Sequence, residues 1–170
     1  MTPFALVSTV ASAAILFGFT TISVWRFGWL ASYSSYADKW TAAVPMHNAN
    51  LWSIITIVAA FLLVPAMLEL GEGNPWQCLG FFAPAYLMVV GCTPEYNHKH
   101  KQRIVHIFGA IACAVIATAW ICLVQHQLWA ILVAAFVAWC IGYANATLKS
   151  CAVFWGEMTL FMAAYAAILI

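Results

Sequence analysis

The sequence predicts an all-α protein, a polytopic bundle of about six transmembrane helices forming one domain over residues 1–170. Two observations carry this prediction. Hydrophobic residues make up 66% of the chain and charged residues 6%, which leaves too little polar surface for a globule in water. Apolar runs of roughly 20 residues, the length that crosses a bilayer, occupy nearly the whole chain.

The predicted spans, in chain order, are 3–25, 49–69, 76–93, 104–124, 128–146 and 152–170. The first has no basic residues before it and is longer than the apolar core of a secretory signal, so we expect it to be retained as a helix. Short polar turns at 71–75 and 125–127 predict antiparallel neighbours. The longer connection at 27–48 is expected to place an aromatic belt at the lipid headgroups, in preference to a ligand-stacking box. Its aromatic residues include Trp29, Tyr33, Tyr36 and Trp40.

The basic residues predict the orientation of the bundle. All six follow the first, third or fifth span, and they are Arg26, Lys39, Lys99, Lys101, Arg103 and Lys149. Because basic loops remain in the cytoplasm, these gaps are predicted to be cytoplasmic and both termini to lie outside. The net charge of +1 excludes the broad basic face that duplex nucleic acid requires, and membrane lipids are the expected partners.

Small residues recur every four positions in the fourth span. Gly109, Cys113 and Ala117 form one strip, and a parallel strip contains Ala110, Ala114 and Thr118. Such strips permit close approach of helices. Packing within one protomer is the favoured interpretation, and the seam of a homo-oligomer remains the alternative.

Glu157 in the last span is the foremost candidate functional residue. It lies about 8 Å along the helix from the predicted cytoplasmic boundary, where a carboxylate needs a partner, a water-filled cavity or a proton. We hypothesise that Glu157 binds a cation or proton, that His106 tunes its charge and that Asn145 supplies a neutral ligand. A structural polar clamp is the alternative. Pocket candidates at the same membrane face are Tyr143, Asn48 and Asn50.

Motifs of metal and hydrolytic chemistry are absent from the sequence. It contains no Cys-x-x-Cys, no His-Glu-x-x-His and no phosphate-binding glycine loop. The six cysteines are scattered and indicate no disulfide framework. We therefore predict neither a metal nor a cofactor, and no enzymatic activity is indicated.

Three short segments carry a resemblance to known proteins. Ser-Tyr-Ser-Ser-Tyr at 32–36, Gly-Cys-Thr-Pro-Glu at 91–95, and Val105-His106 with Gly109-Ala110 resemble small multi-helix bacterial inner-membrane proteins of unassigned function. This resemblance implies a bacterial inner (cytoplasmic) membrane location and no particular activity. Ser34 and His106 are also similar to residues of the membrane hydrolases that include alkaline ceramidases and adiponectin-receptor-like proteins, but no intramembrane Asp accompanies them here.

The expected function is a channel-like or transport module with a polar site facing the cytoplasm. An alternative is a non-catalytic interaction subunit of a larger membrane complex, with a homo-oligomer or another membrane protein as partner. A membrane-embedded lipid hydrolase ranks third.

Overall fold

The computed structural model describes residues 1–44 and 50–170, and the described chain is all-helical, with seven α-helices and no strand. The helices are α1 (Pro3–Phe27), α2 (Tyr36–Ala43), α3 (Leu51–Leu70), α4 (Leu79–Gly91), α5 (His100–Leu123), α6 (Leu128–Ala144) and α7 (Ala152–Leu169). A single 3-10 turn, Tyr33–Ser35, precedes α2. Each predicted span coincides with one helix, and α2 lies within the predicted long connection.

Four of the described helices, α1, α3, α5 and α7, are long and apolar enough to cross a membrane. Helices α4 and α6 are equally apolar but contain only 13 and 17 residues, fewer than the roughly 20 that span a bilayer. The structure therefore confirms the helical class and its compatibility with a membrane.

The packing of α1 is inverted relative to a helix of a water-soluble protein. Its buried face carries hydroxyls, among them Ser12 and Ser23, whereas its exposed face carries large apolar side chains. Trp25, for example, is 86% exposed. Lipid imposes no penalty on an exposed apolar side chain, while hydroxyls require partners inside the protein. Ser12 illustrates this, because its hydroxyl lies 2.6 Å from the carbonyl oxygen of Ala59.

The helices pair through their small residues. Gly109, Cys113 and Ala117 of α5 are buried, and a Cβ added to Gly109 would lie 3.2 Å from a methyl of Val89 in α4. This strip therefore packs within the protomer, as the favoured interpretation stated. An equivalent strip on α6 faces α7, and its members are Ala130, Ala134, Ala138 and Gly142.

The loops that connect successive helices lie alternately at two opposite ends of the bundle, and loops at the same end contact one another. At one end, here called the basic end because it carries all six Lys and Arg residues, the backbone N–H of Phe154 donates to Ala31 O. At the opposite end Thr2 Oγ1 donates to a carboxylate oxygen of Glu69, 2.6 Å away, and the side-chain amide of Gln125 donates to Leu70 O. The chain therefore alternates between the two ends as the charge pattern predicts.

The aromatic residues of the long connection are buried in protein. Tyr33, Tyr36 and Trp40 are at most 6% exposed, so the prediction of a headgroup belt is wrong for them. Each has internal partners: the indole N–H of Trp40 donates to Ser23 Oγ at 2.8 Å, and the Tyr36 hydroxyl donates to Gly28 O at 2.8 Å. These bonds fold the connection back under α1 and α7, which positions Tyr33 beside the candidate site.

Candidate functional site

A cavity of about 470 Å³ lies between α5 and α7. It exists because α5 packs chiefly on α4, and α6 chiefly on α7, which leaves α5 and α7 less closely packed against each other. Its walls are apolar side chains from α4, α5, α6 and α7. The second small-residue strip recognised in the sequence, Ala110, Ala114 and Thr118, forms the α5 wall.

Glu157 supplies the one carboxylate among the residues that line this cavity. It occupies the second turn of α7, and one of its oxygens accepts a hydrogen bond from the backbone N–H of Tyr33 at 2.6 Å. In the chain as described, no Lys, Arg or His forms an ion pair with it; the pairs present involve Glu69, Asp38 and Glu95. The carboxylate therefore accepts one hydrogen bond from a backbone N–H and otherwise borders an open apolar space.

The 3-10 turn determines where that backbone donor lies. Ser32 caps the turn, because its hydroxyl oxygen accepts the N–H of Ser35 at 3.2 Å. The Tyr33 N–H, which has no partner within the turn, is then directed at α7. The Tyr33 phenol extends into the bundle and contacts Thr56 Oγ1 at 3.2 Å, and burial raises the pKa of this phenol above its ordinary value. A neutral, fixed tyrosine thus borders the carboxylate.

Two aromatic rings flank the cavity near Glu157. The ring centroids of Tyr33 and Phe161 lie 5.8 Å apart in an edge-to-face arrangement, and both residues line the cavity. Phe161 follows Glu157 by four residues, so it projects from the same face of α7 one turn further along. The sequence prediction did not include either ring, although the four-residue spacing was a usable signal for Phe161.

His106 is buried in a separate cluster. Its Nδ1 lies 2.9 Å from Thr93 Oγ1, and Thr93 donates its own hydroxyl proton to Val90 O at 2.8 Å. The imidazole also stacks on Tyr96, with ring centroids 4.0 Å apart. These contacts fasten the end of α4 to α5, and His106 does not line the cavity that contains Glu157.

Ser34 connects the two clusters without forming a catalytic pair. Its hydroxyl donates to the Tyr96 hydroxyl at 3.3 Å, and Tyr96 in turn covers His106. The three segments that carry the sequence resemblance therefore meet at the basic end. Since Ser34 and His106 bond to other groups, the geometry does not prepare a serine nucleophile.

The remaining predicted pocket residues that the structure describes do not converge on Glu157. Asn145 is exposed and its side-chain amide donates to Ile141 O at 2.9 Å, at the end of α6. Tyr143 is 72% exposed and stacks on Trp139. Asn50 is buried as the N-cap of α3 and borders a different cavity. Asn48 lies outside the described residues.

Among the described residues, His106, Asn145, Tyr143 and Asn50 therefore do not share one pocket with Glu157. Helix periodicity explains the separation, because residues at equal depth along the membrane can lie on different faces of their helices. Asn145 and Tyr143 point away from the bundle, and Asn50 satisfies the backbone of its own helix.

No group of three His, Cys, Asp or Glu side chains within residues 1–44 and 50–170 is arranged to hold a metal ion. Comparisons of the chain with models of protein families, with curated proteins and with solved structures found no match.

Proposed function

We propose that this protein is a membrane transport module in which Glu157 binds a proton or a cation. The observation that carries the proposal is the Glu157 carboxylate, which faces a cavity of about 470 Å³ and has no ion-pair partner in the described chain. The hypothesis from the sequence assigned supporting roles to His106 and Asn145. Since both lie apart from the cavity, the proposal now rests on Glu157, with Tyr33 positioning it.

The negative charge of Glu157 needs a species that neutralises it. An isolated carboxylate in an apolar setting is costly, and it becomes acceptable when it takes up a proton or a positive charge. A structural clamp would instead provide permanent partners, such as an arginine or several N–H donors. Glu157 has one protein donor, the Tyr33 N–H, and open space on its cavity side. This arrangement suits exchange of the neutralising species.

The proposal includes an orientation. The basic end lies in the cytoplasm of a bacterial inner membrane, and both termini lie outside, in keeping with the positive-inside bias. The four long helices cross the bilayer, and the shorter α4 and α6 cross alongside their longer partners α3 and α7. Glu157, about 8 Å from the start of α7, is then reached from the cytoplasmic half of the membrane.

The test is flux in proteoliposomes that contain the purified protein and a trapped pH-sensitive dye. A potassium diffusion potential, negative inside, drives proton entry, and a parallel series measures sodium uptake. We expect influx with the native protein and its loss in Glu157→Gln, because Gln keeps an acceptor for the Tyr33 N–H but removes the charge. Glu72→Gln is the matched control, since Glu72 is exposed in the turn at the opposite end.

Equal fluxes in native protein and Glu157→Gln would contradict the role of Glu157. If no cation crossed the membrane, the chain would be better described as an interaction subunit. Native mass spectrometry in mild detergent would then identify the partner.

A further inference from the structure

We infer that the cavity between α5 and α7 binds a hydrophobic organic monocation, which replaces the proton as the species that neutralises Glu157. This inference rests on the proposed function and specifies its substrate class. Size, lining chemistry, aromatic placement and access each support it.

The cavity has the dimensions of a small-molecule site. Its volume of about 470 Å³ falls within the range of roughly 300–1,000 Å³ that ligand pockets occupy. Small side chains create this space, because Ala110 and Ala114 form the α5 wall. Gly156 adds room on α7, where a Cβ would meet no atom within 4 Å.

The lining discriminates against divalent metal ions. Metal ions such as Ca²⁺ and Mg²⁺ require about six or more oxygen ligands at short range. The cavity offers one carboxylate, the Ser34 hydroxyl and two threonine hydroxyls, on walls that are otherwise apolar, such as Leu87, Leu160 and Ile131. An organic cation needs fewer oxygen ligands, because its own apolar groups contact the walls while a single negative charge balances it.

An aromatic ring lies one helical turn from the carboxylate. Phe161 lines the cavity and is partly exposed, whereas the Tyr33 ring that packs on its edge is only 2% exposed. Cations bind favourably to aromatic faces, so the Phe161 ring and the carboxylate attract the same kind of ligand. The other titratable groups of the lining are the Tyr33 phenol and the Cys113 thiol of α5, while α4 and α6 contribute only apolar side chains.

The cavity is accessible from the side of the bundle. Three lining residues, Thr118, Val153 and Gly156, are exposed on the outer surface between α5 and α7. In a membrane this surface faces lipid, with Val153 and Gly156 in the first two turns of α7 at the basic end and Thr118 in the last two turns of α5, toward the opposite end. Amphipathic cations concentrate at the headgroup depth, where Val153 lies, because their apolar part partitions into lipid and their charge remains near the anionic headgroups. Entry from the bilayer therefore requires no aqueous pore.

The experiment measures binding of tetraphenylphosphonium to the full chain in lipid nanodiscs by equilibrium dialysis, with empty nanodiscs subtracted. Tetraphenylborate, similar in size and shape but negatively charged, is the control ligand. We expect saturable tetraphenylphosphonium binding that weakens at least about tenfold in Glu157→Gln, since one member of a desolvated charge pair is lost. Binding should also weaken at acidic pH, where protons compete for Glu157.

A second variant tests the cavity independently of the charge. Ala114→Leu fills part of the cavity from its α5 wall and should abolish saturable binding, while Ala135→Leu, on the exposed face of α6, should bind like the native protein. Monodisperse elution and an unchanged melting temperature of each variant establish that it is folded. Equal tetraphenylphosphonium binding by Glu157→Gln, or saturable tetraphenylborate binding at the same site, would overturn the inference.

The outcomes separate this inference from the proposed function. Glu157-dependent proton or sodium flux without tetraphenylphosphonium binding would overturn the substrate class and leave the transport proposal standing. Glu157-dependent tetraphenylphosphonium binding without any flux, including flux of tetraphenylphosphonium itself, would support the site and contradict transport.

Discussion

Gly80 of α4 offers a sharp test of how the helices that support the cavity are packed. Its Cα hydrogen faces α3, and a Cβ built at this position would lie 2.7 Å from the carbonyl oxygen of Met67 and 2.9 Å from its carbonyl carbon. The indole nitrogen of Trp120 in α5 would be 3.1 Å away. Gly80 therefore occupies the point where three helices meet.

The magnitude of Gly80→Ala follows from these distances. Ordinary van der Waals contact begins at 3.4 Å, so the alanine methyl would be 0.7 Å too close to the Met67 oxygen (3.4 minus 2.7). The obstructing atom belongs to helix backbone and cannot rotate away, so α3 and α4 must separate. Overpacking of this kind costs typically about 1–3 kcal/mol, and we expect Gly80→Ala to lower the free energy of unfolding by an amount in that range.

The assay is titration with sodium dodecyl sulfate from a mild detergent, followed by the fluorescence of the nine tryptophans. Gly18→Ala is the matched control, because Gly18 is also helical but a Cβ there meets no atom within 4 Å. The control should range from neutral to about 1 kcal/mol more stable, through helix propensity. If Gly80→Ala proved as stable as Gly18→Ala, the inferred contact between α3 and α4 would be refuted.

Two further predictions concern Tyr36 and the orientation of the chain. Burial raises the pKa of Tyr36 to about 12, from 10.0, so the unfolded chain loses this proton at a lower pH than the folded chain does. The contribution of Tyr36 to the free energy of unfolding should therefore be complete below pH 10 and decline as pH rises toward 12. In unfolding titrations at pH 9 and 11.5, Tyr36→Phe should show a smaller decline than the native protein, and an identical decline would contradict this. The exposed Cys78 and Cys92 lie beside opposite ends of α4, so a membrane-impermeant maleimide added to intact cells should label Cys78 and spare Cys92, and the reverse pattern would invert the proposed orientation.

The helices themselves were predictable from the sequence. Each predicted span coincides with a helix, because a run of apolar residues bounded by polar turns has few alternatives in lipid. The internal role of the Gly109 strip was likewise predictable, since small residues at four-residue spacing lie on one helix face. Helix α2 was missed because its eight residues are only weakly apolar on average and contain both Asp38 and Lys39.

The candidate site was only partly predictable. Glu157 was identifiable because a charged residue within an apolar helix is conspicuous at any position. Its partner was not, because the donor is the backbone N–H of Tyr33, and every residue other than proline carries such a group. His106 was assigned to the same cluster on grounds of depth alone, whereas its contacts with Thr93 and Tyr96 place it elsewhere.

The sequence by itself determined that this chain is helical, that it is apolar enough for lipid, and that it carries a carboxylate, Glu157, inside an apolar run where a charge is costly. These properties follow from composition and from periodicity along a single helix, which are local quantities. The tertiary structure decided that the aromatic connection folds inward, that a cavity lies between α5 and α7, and that Glu157 faces it. Such features depend on how helices rotate and tilt against one another, and small differences in packing summed over many contacts determine that arrangement.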